Sequence, residues 1–228
     1  MQEIEHLKQA KQTALTLAAA QSFIGSTQPI CISLGGLAGF YLLGADKTLA
    51  TMPVTTGNLG VALGAVPAAM LMRAIGRRYG FAAGALSVSL GAATAAMALL
   101  IHSFWLFALG LAIIGVGGSF QQQYRFAAAD AAPKAVKSQA LSWVLCGGIL
   151  AAIIGPQSAI LTKDLMAPVS YAGAFLSAVV LGLIGTGILL TLKPAQVVVD
   201  ESDDPSDDER ALRTIIAQPR FMVSFLCD

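Results

Sequence analysis

From Ser138 to Leu161 the chain reads SQALSWVLCGGILAAIIGPQSAIL, a stretch without a single charged residue. Coiled as a helix at ~1.5 Å per residue it is about 36 Å long, enough to cross the ~30 Å hydrocarbon core of a bilayer. The same pattern recurs on both sides of it. Apolar runs long enough to span cover about 13–42, 50–72, 79–101, 104–129, 138–161 and 169–192. The first is overlong and carries Pro29 near its middle. The connectors between runs are too short for a soluble domain, so the chain is expected to be an all-α, polytopic membrane protein of six transmembrane helices.

Composition agrees. Of 228 residues, 56% are hydrophobic and 12% charged, with mean hydropathy +0.71. A soluble domain carries about twice that share of charge. Cys31, Cys146 and Cys227 are odd in number and scattered, which fits neither a disulfide scaffold nor a structural zinc site. No basic cluster is longer than Arg77-Arg78, so no nucleic-acid partner is expected, and neither is a metal or a cofactor.

Residues 1–12, MQEIEHLKQAKQ, are polar and are not a signal peptide, because the apolar run that follows far exceeds the usual 7–15 residues of such a segment. With this end placed in the cytoplasm, 12 of the 14 basic residues fall inside and only Lys47 and Lys163 outside. That asymmetry is the one the positive-inside rule asks for. Residues 193–218 form an acidic cytoplasmic linker: DESDDPSDDE, from Asp200 to Glu209, holds seven of the 13 acids and repels itself. After Pro219 a short apolar run ends at Asp228, so 219–228 is expected to be the start of a truncated seventh helix.

Between the second and third runs stands AMLMRAIGRR, from Ala69 to Arg78. It resembles the cytoplasmic loop signature of the major facilitator superfamily, G-x-x-x-D-R-x-G-R-R. Gly76, Arg77 and Arg78 match its last three positions. Ala69, Arg73 and Ala74 replace its glycine, aspartate and arginine. AAADAAP, from Ala127 to Pro133, is similar to the acid and proline that end the fourth helix in that family, and Gly155-Pro156 to its antiporter Gly-Pro element. The glycine pair that follows in antiporters is absent, so antiport is not carried over. The resemblance implies the amino-terminal half of a twelve-helix secondary transporter of small solutes. That half would hold two inverted three-helix repeats, in a bacterial inner membrane, with a six-helix carboxy-terminal half as its missing partner. Spans one to three show no convincing sequence similarity to spans four to six.

Polar side chains inside spans are costly in lipid and are therefore functional candidates. Span one carries Gln21, Ser26, Thr27 and Gln28, with Gln21 and Gln28 two turns apart on one face. Span two carries Thr55, Thr56 and Asn58. Span four carries Gln121, Gln122, Gln123 and Arg125, and span five carries Gln157 beside Pro156, a potential bend. The resemblance implies that these four spans line a central cavity. Gln28, Asn58, Gln122, Arg125 and Gln157 are the cavity candidates, while Gln21, Thr55 and Thr56 are assigned to interhelical hydrogen bonds. Arg125 has two readings. It is an anion contact, or it is a snorkelling anchor or partner of Asp130, itself read as a helix-end cap. No acid or histidine lies at mid-membrane in any span.

Two other classes compete with a transporter. An intramembrane enzyme needs a nucleophile with a base or a metal cluster. His6 and His102 lie outside the spans and no such motif occurs, so an enzyme is not expected. A non-transporting six-helix module that pairs with itself or another subunit has no use for the apolar run after Pro219.

Overall fold

The computed structural model describes residues 2–43, 47–133, 136–166, 169 and 171–192, with side chains from Gln9 onward. The expected acidic linker 193–218 and the seventh-helix segment 219–228 lie outside the described residues. Among the described residues, eight α-helices run in order: α1 (Gln2–Ile24), α2 (Thr27–Leu42), α3 (Met52–Ile75), α4 (Arg77–Leu100), α5 (Phe104–Gln121), α6 (Tyr124–Asp130), α7 (Lys137–Thr162) and α8 (Ala172–Leu190). No strand occurs among the described residues. Six stretches of the described residues are long and apolar enough to cross a membrane: Gln9–Leu42, Met52–Ile75, Arg77–Leu100, Phe104–Asp130, Lys137–Thr162 and Ala172–Leu190.

Two of the spans are each divided into two helical segments. Span one divides into α1 and α2 at Gly25 and Ser26, ahead of Pro29 rather than at it. Pro29 sits in the first turn of α2, where a missing N–H leaves no intrahelical bond unmade, so the proline helps to start the second segment. Span four divides into α5 and α6 at Gln122 and Gln123, where the Gln123 N–H turns back to the Phe120 carbonyl at 3.1 Å. By helical rise both breaks lie about 26 Å from the bundle end that carries Leu42 and Phe104. They stand at one depth.

The third span begins at Arg77, earlier than the expected position 79. Gly76, at φ 84°, ends α3 and caps α4 in one residue, a conformation that only glycine adopts without strain.

Lipid tails offer no hydrophobic drive between helices, so close backbone approach has to supply the packing. Gly147, Ala151 and Gly155 form a ladder of small residues on α7. A Cβ at Gly147 would overlap the Ala18 carbonyl, and one at Gly155 would lie 2.5 Å from the Ser26 carbonyl. On α3, Gly60 meets the Ala112 carbonyl in the same way, while Gly115 of α5 rests on the Gly57 carbonyl.

These two seams are counterparts. Exchanging spans one to three for spans four to six maps α3 on α5 onto α7 on α1. It also maps α4 on α5 onto α8 on α1, and α4 on α8 onto itself. All of these pairs are in contact. This is the contact pattern of two inverted three-helix repeats.

Candidate functional site

Hydroxyls inside the spans are mostly satisfied by their own helices, the buried Thr27 Oγ1 and Tyr124 hydroxyl excepted, whereas the amides are not. Ser22, Ser26, Ser89 and Thr186 each donate to the carbonyl four residues back, at 2.6 to 3.2 Å, so their own helix satisfies them. The Thr56 hydroxyl reaches the Ala108 carbonyl of α5 at 3.0 Å, the interhelical contact expected of it. None of the amides of Gln21, Gln28, Asn58, Gln121 or Gln122 hydrogen-bonds to another described residue. An amide with no protein partner is poorly placed against lipid, so these groups need water or a ligand.

The amides gather in two places. Gln28 and Asn58 face a narrow crevice with Cys31, Val54, Gly57 and Leu111, between α2, α3 and α5. Gln21, Gln121, Gln122 and Arg125 line a second recess of about 100 Å³, closed on its far side by Val144, Leu145 and Gly148 of α7. The break in span one separates Gln21 from Gln28, so the two do not share a face. Gln157 is exposed on α7 and lines neither recess. Its neighbour Pro156 lies inside α7, directly after the Gly155 that admits the Ser26 carbonyl.

The second recess is built by the two helix breaks. Gly25 stands beside the Gln121 side chain: a Cβ there would come within 3.0 Å of Gln121 Nε2. Gln21 lies one turn before that break, with its Oε1 buried and without a hydrogen-bond partner. Gln122 and Arg125 flank the second break and are exposed toward the recess mouth. The Arg125 guanidinium rests 4.9 Å from the Phe126 ring, an aromatic support that leaves its N–H fork open.

Arg125 does not pair with Asp130. The Asp130 carboxylate is taken by Arg77, whose Nη2 donates to Oδ2 at 2.6 Å. Arg78 donates to the Leu190 carbonyl and so ties the start of α4 to the end of α8. Gly76, Arg77 and Arg78 thus clamp the ends of spans two, three, four and six together. Among the described residues, no three His, Cys, Asp or Glu side chains gather as a metal site would need.

Gln21, expected in an interhelical contact, and Gln121, which is not among the cavity candidates, both face the recess. The available signal was spacing: Gln121 stands one turn before Arg125 on the same side of span four.

Six helices long and apolar enough to cross a membrane, packed in the pattern of two inverted repeats, define an integral, multi-pass membrane protein. The model of the Major Facilitator Superfamily matches residues 13–227, and the chain belongs to that family. It is 43% identical over 218 residues to the riboflavin transporter RfnT of Brucella anthropi, covering 94% of this chain and 54% of that protein. It is 29% identical over 203 residues to the uncharacterized MFS-type transporter YdeG of Bacillus subtilis, covering 87% of this chain and 47% of the relative. A second uncharacterized MFS-type transporter of that organism, YddS, is 32% identical over 146 residues, 64% of this chain and 33% of the relative. The chain therefore spans about half the length, or less, of the curated relatives it matches. No solved structure gives a significant match.

Proposed function

We propose that this bundle is one half of a secondary transporter that moves a flavin-type solute, riboflavin foremost, by alternating access. The observation that carries the reading is the convergence of Gln21, Gln121, Gln122 and Arg125 on one recess, with the Gln21 Oε1 buried and unpartnered. A flavin ring presents a uracil-like edge in which one N–H lies between two carbonyls. Glutamine amides offer both a donor and an acceptor to such an edge, and the guanidinium of Arg125 adds further donors for one of its flanking carbonyl oxygens. The similarity to a riboflavin transporter adds the substrate class.

Alternating access is largely the rocking of one bundle against another around a site between them. The exposed Gln122, Arg125 and Leu145 at the recess mouth are suited to face a second six-helix bundle. The crevice of Gln28 and Asn58 opens between neighbouring spans and serves as a secondary polar contact for the same solute. The 12-to-2 distribution of basic residues supports a cytoplasmic N-terminus, and the bacterial relatives support an inner-membrane location.

The test is uptake of labelled riboflavin by cells that lack their own uptake system and express this bundle joined to a second six-helix half. Saturable uptake, competed by unlabelled riboflavin, is expected. Protein present in the membrane without such uptake would overturn the substrate assignment.

A further inference from the structure

At the end of the bundle where α1 and α7 begin and α6 ends, a groove of about 150 Å³ opens between them. Ala10, Val136, Ala140 and Trp143 make its walls apolar, and Lys11 and Gln139 supply its polar atoms. We propose that this groove is a binding site for an anionic phospholipid, with the head group at Lys11 and the first acyl carbons against Trp143.

Three observations favour that occupant. The first is a cation without a carboxylate partner among the described residues. Asp130 and Asp164 are the acids with described side chains, and they pair with Arg77 and Lys163. No described carboxylate neutralises Lys11. Its ammonium instead sits 5.6 Å from the centre of the Trp143 ring, held over an aromatic face at the groove edge. Lys137, exposed in the first turn of α7, adds a second cation two residues before Gln139.

The second is the shape of the polarity. Apolar walls with a cation and an amide at the rim match an amphiphile: phosphate outward, hydrocarbon inward. Basic pockets between transmembrane helices select anionic head groups for this reason. The third is Trp143, half-buried, with an apolar body for the acyl chain and an indole N–H suited to the ester region. The groove is separate from the amide recess, so the inference stands apart from the transport reading.

Trp105 and Trp143 are the protein's two tryptophans, and Trp105 is exposed, so Trp105→Phe leaves Trp143 as the only reporter. The full chain is reconstituted in phosphatidylcholine vesicles containing a small, equal fraction of either brominated phosphatidylglycerol or brominated phosphatidylcholine. Bromine quenches tryptophan only on contact. Quenching per mole is expected to be about fivefold stronger with the anionic lipid, an advantage lost in Lys11→Ala, retained in Lys11→Arg and weakened by high salt. Equal quenching by the two lipids would overturn the proposal in favour of ordinary annular lipid. Quenching by neither would overturn it in favour of a groove closed by protein.

Discussion

Arg77 and Asp130 lie 53 positions apart and meet at 2.6 Å, joining the residue that opens span three to the one that closes span four. The acid of the family's loop signature is replaced here by Arg73, and the described ion pair of this loop falls instead on Arg77 and Asp130. Both side chains are about half exposed, 45% and 46%, so solvent screens the pair and its worth is modest.

A double-mutant cycle of Arg77→Ala and Asp130→Ala is expected to give a coupling of about 0.5–1 kcal/mol in low-salt detergent, fading as salt rises. The measurement is the unfolding midpoint of the two single variants and the double variant. Strict additivity would show that the two residues do not act as a pair.

The glycine seams make a sharper prediction. A Cβ at Gly115 would overlap the Gly57 carbonyl, whereas one at Gly36 meets nothing within 4 Å. Gly115→Ala should therefore cost about 1–3 kcal/mol through overpacking, while Gly36→Ala stays within about 0.5 kcal/mol of the parent. Thermal unfolding of the purified variants in one detergent checks both. Equal midpoints would mean that spans two and four do not pack as described.

Tyr124 opens α6 almost fully buried, edge-on to Phe81 at 4.8 Å between ring centres, and its hydroxyl has no hydrogen-bond partner. An unpaired buried hydroxyl costs free energy that its removal returns. Tyr124→Phe should be as stable as the parent or better by about 1 kcal/mol. A lower unfolding midpoint would reveal a partner for the phenol.

The six spans were legible because each is a long apolar run and nothing soluble assembles from such runs. The helix breaks were not. Gly25 and Gln123 carry no strong breaking signal in a chain with 23 glycines, and the obvious mark, Pro29, belongs to the first turn of the next segment. The inverted repeat was hidden for a related reason. It is expressed in which helices touch, and small residues at the seams satisfy that requirement without any matching motif. Of the candidate residues, Gln122 and Arg125 share a recess, Gln28 and Asn58 share another, and Gln157 lines neither. Side-chain spacing alone could not separate these groups, because the break at Gly25 changes the direction in which span one presents its amides.

Orientation is open to labelling. In a background with Cys146→Ser and Cys227→Ser, Lys47→Cys and Lys163→Cys should react with an impermeant thiol reagent from outside intact cells. Lys137→Cys should react only after permeabilisation. The skew of basic residues toward the end where α1 begins motivates this expectation. Labelling of Lys137→Cys in intact cells would invert the topology.

The central claim is that solute is recognised between the two helix breaks, and the most direct measurement is the initial rate of riboflavin uptake by recess variants in the two-bundle protein. Gln21→Ala and Arg125→Lys are each expected to lower the rate about tenfold at equal protein in the membrane. The first removes an amide whose oxygen is free for solute, and the second keeps the charge but loses the planar fork. Gly36→Ala, away from the recess, should leave the rate unchanged. Parental rates for both Gln21→Ala and Arg125→Lys, alongside saturable uptake by the parent protein, would contradict the account.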